Sequence, residues 1–120
     1  MKKLLFVLFV LGISTQIFAK ITAKQVTGNW KYTIETDQGP MTGLIKLIEK
    51  EGNLAGTVVT GEGSTMPISK IEIKEEDILY FEVVVDYEVF KVTLKIEGKK
   101  FAGTVTNYDV KVPITGEKQE

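Results

Sequence analysis

The sequence predicts an all-β protein: an eight-stranded antiparallel up-and-down β-barrel with a 4+4 internal repeat, a two-sheet β-sandwich being the alternative. Three observations lead there. Apolar and polar residues alternate with period two along most of the chain. Seven turn-like breaks cut it into eight segments. The second half of the chain echoes the first. Period-two alternation rich in β-branched and aromatic residues marks strands with one buried and one solvated face.

The chain opens differently. Met1-Lys2-Lys3 leads into the apolar run Leu4 to Ile13, "LLFVLFVLGI", and then "STQIFA", ending at Ala19. A basic start, a short apolar run and a small residue at the cut are the parts of a secretory signal peptide. The ten-residue run is well short of the roughly 20 residues that a membrane-spanning helix needs. The expectation is a signal peptide over 1–19, with Ala23 as a second cleavage point. The remaining 20–120 then form a single β-barrel domain with no transmembrane segment, a monomer in the periplasm or outside the cell. Residues 20–26, "KITAKQV", read as a frayed terminus, or as an interaction arm.

The eight segments follow in order: 28–37, 41–50, 54–60, 66–74, 78–86, 88–97, 101–107 and 110–117. In "WKYTIET", Trp30, Tyr32 and Ile34 share one face, and Lys31, Thr33 and Glu35 the other. In "FKVTLKIE", Phe90, Val92, Leu94 and Ile96 oppose Lys91, Thr93, Lys95 and Glu97. "ILYFEVVVDY" turns Leu79, Phe81, Val83 and Val85 inward. The breaks carry turn residues: Gln38-Gly39-Pro40, Glu51-Gly52-Asn53, the loop around Gly61 and Gly63, Glu75-Glu76-Asp77, Asp86-Tyr87, Glu97-Gly98-Lys99 and Tyr108-Asp109. Alternation slips between Ile68 and Ile71, which predicts a bulge in the fourth strand.

The echo explains the architecture. "LAGTVVTGEGSTMPIS" from Leu54 is answered by "FAGTVTNYDVKVPIT" from Phe101, an offset of 47 residues that also relates Ile45 to Val92 and Leu47 to Leu94. Two copies of a four-strand meander leave exposed edges unless they pair with each other, and closing them into one ring removes those edges.

Gly28-x-Trp30 on the first strand resembles the start of lipocalin- and streptavidin-like barrels, the calycins. The whole stretch also resembles a small bacterial secreted domain of unknown function, through Gly28/Trp30, Thr36/Gly39/Pro40, Leu54–Val58 with Pro67-Ile68, and Phe101–Val105 with Pro113-Ile114. The resemblance implies that Trp30 is a structural plug for the narrow end of the barrel. It also implies a cation packed over the tryptophan; in a chain without arginine, Lys118 is the nearest candidate.

Composition excludes several functions. Cysteine and histidine are absent, and all fifteen basic residues are lysine. Disulfides, a lipid-modified cysteine and the commonest transition-metal ligands are therefore ruled out. Without Lys2 and Lys3, thirteen lysines face sixteen acids, a net charge of −3 that does not suit a nucleic-acid binder. Ser69 and Lys70 are neighbours on a strand and point to opposite faces, so they do not form a catalytic pair. Glu35, Glu82 and Glu97 lie on the solvated face. "TGEGST" (60–65) lacks the helix and lysine of a phosphate-binding loop. Asp37, Asp86, Glu88 and Asp109 match no calcium-loop spacing. No enzyme, cofactor or metal is expected.

What remains is the distribution of size inside the barrel. At the Trp30 end the inward residues are bulky: Leu47, Leu54, Ile73, Leu79, Ile96, Phe101 and Ile114. Toward the other end they shrink to Gly43, Val58, Thr60, Val83, Val85, Val105, Asn107 and Val110, with Phe90 an exception. A barrel of eight strands is just wide enough to be filled by side chains or to hold one small ligand. The taper predicts a closed bottom and a roomier top. The candidate ligand-binding residues are Tyr32, Thr36, Met41, Thr60 and Met66, together with Val85, Tyr87, Phe90, Asn107 and Tyr108. The expected function is a non-enzymatic binding module for a small apolar ligand. The alternative is an interaction domain for an exported protein partner, such as an inhibitor or accessory subunit, helped by the outward apolar residues Leu44, Ile48, Tyr80 and Val84.

Overall fold

A computed structural model describes residues 21–108 and 110–119; the proposed signal peptide and Asp109 lie outside them. Within the described residues the chain forms a closed antiparallel barrel of eight strands in sequential order. The strands are β1 (Gly28–Thr36), β2 (Gly39–Lys50), β3 (Asn53–Thr60), β4 (Thr65–Lys74), β5 (Ile78–Val85), β6 (Glu88–Glu97), β7 (Lys100–Asn107) and β8 (Val110–Lys118). The ring closes between β1 and β8, from Trp30 opposite Lys118 to Ile34 opposite Ile114. The second strand starts two residues earlier than the sequence predicts, because Thr36 already pairs with Gly39.

Tight turns set the register. Glu51 and Gly52 have φ of 54° and 86°, and Asp86 and Tyr87 have φ of 52° and 69°. Two successive residues at positive φ form the hairpin turn whose twist matches that of the flanking strands. The predicted bulge is present: Ile68 opposes Val83 but Lys70 opposes Glu82, and the extra residue, Ser69, donates its hydroxyl to the Glu82 carbonyl at 3.2 Å. The neighbouring seam is thin. β3 and β4 pair over only Thr57–Val59 and Thr65–Pro67, near the top. Leu54, Ile68 and Ile71 of these two strands are half-buried and pack against the core.

The lower half is solid. Trp30, Ile45, Leu79 and Leu94 are almost wholly buried, and the Trp30 and Phe101 rings lie 5.5 Å apart at a tilt of 46°. Phe101 lies across the Gly116 opposite it, where an added Cβ would sit 2.2 Å from the ring. Only glycine lets an aromatic side chain cover its backbone in this way.

Residues 21–26 are not frayed; they close the barrel from beneath. Thr22 caps the single-turn helix α1 (Ala23–Val26) in a reciprocal capping box with Gln25. Ile21 donates its amide to the Glu76 carbonyl at 2.8 Å, and the Val26 side chain is fully buried. The Val26 carbonyl accepts the Trp30 indole N–H at 2.9 Å. Lys118 fills the expected place: its Nζ lies 5.8 Å from the centre of the Trp30 ring and donates to the Gln25 carbonyl at 3.1 Å.

Candidate functional site

Above this floor the barrel is hollow. Odd positions of β2, β5 and β7 and even positions of β1, β3, β6 and β8 face the axis, as alternation requires. The inward row at the floor is made of large residues, whereas the rows above carry mostly valine. The space left over is a chamber of about 320 Å³. Ile45 and Phe81 lie at its base; Val58, Val83, Val92 and Val105 form its waist; Ile34, Phe90, Val112 and Ile114 complete the wall. Met41, Thr60, Met66 and Val85 stand at the mouth, since they also border a shallow outer groove that carries Glu62 and Asp86.

The chamber is almost purely apolar. Its wall contains two hydrogen-bonding side chains, Tyr32 and Thr60, and no charged one. Burial raises the Tyr32 pKa above the ordinary tyrosine value, so the hydroxyl stays protonated and can donate. Thr60 Oγ1 accepts the Ser64 amide at 3.1 Å, which holds the β3–β4 turn.

Six of the ten candidate residues therefore lie on one wall: Tyr32, Met41, Thr60, Met66, Val85 and Phe90. The other four do not line it. Thr36 serves the first hairpin turn, donating to the Gly39 carbonyl at 2.6 Å and accepting from the Gln38 amide at 3.2 Å. Asn107 reaches sideways to donate to Glu88 Oε1 at 2.9 Å. Tyr87 and Tyr108 sit at turn tips with φ of 69° and 52°, and are 100% and 85% exposed. Ile114 changes ends. Read from the sequence as part of the plug, it lines the chamber, because β8 crosses β1 at Ile34, two inward rows above Trp30. The loops contribute little to the site: most of the wall is mid-strand valine and isoleucine, which the sequence marks only as inward positions.

Among the described residues no three acidic side chains come together to hold a metal ion; Asp37, Asp86 and Glu88 form no such group. No helix of the described residues is long and apolar enough to cross a membrane.

No protein-family model and no curated protein matches the chain. Solved structures do. A redesigned β-barrel matches with a TM-score of 0.63 at 14% identity, covering 85% of this chain and 100% of that one. Another redesigned β-barrel, mFAP1 bound to DFHBI, matches with a TM-score of 0.59 at 13% identity, covering 82% and 98%. The Schistosoma mansoni fatty acid binding protein in complex with arachidonic acid matches with a TM-score of 0.57 at 11% identity, covering 83% and 100%. The likeness establishes the fold. It is a closed, up-and-down eight-strand barrel.

Proposed function

We propose that the chain is an exported, non-enzymatic binding module that takes a small, mostly apolar ligand through the open end of its barrel. The observation that carries this reading is the chamber itself: about 320 Å³, apolar, closed beneath by Trp30 and open above. Pockets that bury a small ligand are concave, largely apolar and equipped with a few polar groups that fix orientation. Two barrels of like fold were solved with small molecules bound, DFHBI in one and arachidonic acid in the other, which supports the same use here. The leader-like residues 1–19 support export to the periplasm or the medium, where the protein would act as a monomer. Native mass spectrometry of protein purified from its own host is expected to show a bound adduct, and small apolar compounds are expected to raise its melting temperature. A bare mass together with no shift across such a panel would overturn the proposal.

A second reading, a docking surface for an exported protein partner, is favoured by one feature. Tyr87 and Tyr108 stand almost fully exposed beside the mouth, and tyrosine is a common anchor at protein interfaces. Replacing both by serine separates the two readings. Partner capture is lost if the surface is the function, and ligand uptake by the chamber is unchanged if it is not.

A further inference from the structure

Tyr32 and Thr60 are not scattered over the chamber wall. Tyr32 lies opposite Gly43 on β2, and Gly43 lies opposite Thr60 on β3, so the two hydroxyl-bearing residues flank one glycine in a single inward row. The missing side chain at Gly43 is what the tyrosine uses. Its ring folds sideways, placing the hydroxyl oxygen 2.6 Å from where a Gly43 Cβ would stand. The Tyr32 residue is only 6% exposed, and its hydroxyl has no hydrogen-bond partner among the described residues. That oxygen is not sealed off either, since no fully buried side-chain oxygen or nitrogen of the described residues lacks a partner. The hydroxyl therefore borders the chamber space.

An unpaired donor in such a place is tolerable while water reaches it. When an apolar ligand fills the chamber the water leaves, and the donor goes unsatisfied unless the ligand supplies an acceptor. A site of this kind discriminates against a shape-matched ligand that lacks the acceptor. Charge selects further. No cation lines the wall, and the described turn residues at the open end carry Asp37, Glu62 and Asp86 but no lysine. An anionic head would find neither a partner inside nor an attractive field at the entrance. An ammonium head would have to be desolvated in a chamber without a carboxylate. Size is also bounded, by a chamber of about 320 Å³.

We infer that the chamber selects a small uncharged molecule whose carbonyl or ether oxygen accepts a hydrogen bond from the Tyr32 hydroxyl over Gly43. The inference rests on the ligand-binding reading above and names the ligand class for it. Burial keeps this hydroxyl in its neutral, donating form to higher pH than an ordinary tyrosine.

The test is calorimetric titration of the full mature protein and its Tyr32→Phe variant with four probes of similar size. These are 4-phenyl-2-butanone, its isostere with =CH2 in place of the carbonyl oxygen, 3-phenylpropanoate and 3-phenylpropylammonium. The ketone is expected to bind more tightly than either ion. Tyr32→Phe should weaken the ketone about tenfold more than it weakens the isostere, the size of one hydrogen bond read as a coupling. The carbonyl stretch of the bound ketone should shift in the parent and not in the variant, a signature that loss of packing alone does not produce. Equal loss for ketone and isostere, or binding of either ion as tightly as the ketone, overturns the inference while leaving ligand binding intact. Failure of all four probes, the isostere included, overturns both.

Discussion

Trp30→Ala is the most severe single test of the closed floor. In the folded chain Trp30 is 2% exposed, its ring packs 5.5 Å from that of Phe101, and its indole N–H satisfies the carbonyl of Val26. Truncation removes the largest buried side chain in a layer that has no room to collapse, because Ile45, Leu47 and Leu94 are held by ladders on both sides. Large aromatic truncations of this kind cost about 3–5 kcal/mol. For a domain of this size that corresponds to a fall in melting temperature of roughly 15–30 °C. Trp30→Phe separates the contributions. It keeps a ring against Phe101 but leaves the buried Val26 carbonyl without its donor, at a cost of about 1–3 kcal/mol. Chemical denaturation followed by circular dichroism measures both, with the slope unchanged and the midpoint moving in the order Ala, Phe, parent. An alanine variant that loses under about 1 kcal/mol, the range of exposed positions, would refute the floor as described.

Three further outcomes follow from the same structure. Tyr87 holds a left-handed conformation, φ 69°, at full exposure, so Tyr87→Gly should stabilise the fold by about 1 kcal/mol in denaturant titrations; destabilisation would mean the ring makes a contact in solution that the structure lacks. Tyr80 donates its hydroxyl to Glu82, which together with burial pushes its pKa up to about 12, and burial alone raises that of Tyr32. The folded state then binds protons more tightly than the unfolded state, so stability is full below pH about 10 and falls as pH rises toward 12. Tyr80→Phe should flatten that fall in melting curves taken across the window, and an unchanged slope would rule out the Tyr80–Glu82 contact as its source. By hydrogen exchange, the amides of β3 and β4 that face the seam below the Thr57–Pro67 pair should exchange faster than any others within the strands; protection equal to that of the β5–β6 ladder would show the seam closed.

Much of this molecule was written in period two. "WKYTIET" and "FKVTLKIE" show their buried faces directly, and the slip between Ile68 and Ile71 announces a bulge, because one extra residue inverts every later side chain; the structure puts it at Ser69. The 47-residue echo supplied closure. What period two does not carry is axial height, which depends on the stagger between neighbouring strands. Ile114 was therefore placed at the wrong end, though its face was right. Side-chain direction at strand ends was equally hidden: Thr36 and Asn107 have inward parity, yet the hairpin and Glu88 capture their polar groups. The folding of residues 21–26 beneath the barrel depends on Trp30 offering an indole N–H to the Val26 carbonyl, a contact that no local pattern announces. In the sequence Tyr32 is one inward ring with a hydroxyl. Its role became specific only once β1 and β2 set it opposite Gly43.

Filling the chamber tests the central claim most directly. Val83 is 5% exposed and faces the waist, so Val83→Trp would occupy space that is otherwise empty without disturbing the floor or the turns. Calorimetry with 4-phenyl-2-butanone should show saturable binding to the parent protein with a negative heat-capacity change, the mark of apolar surface leaving water. The filled variant should melt no lower than the parent and bind nothing. A Val83→Trp protein that is folded and still takes the ketone with parental affinity would place the ligand elsewhere and contradict the account.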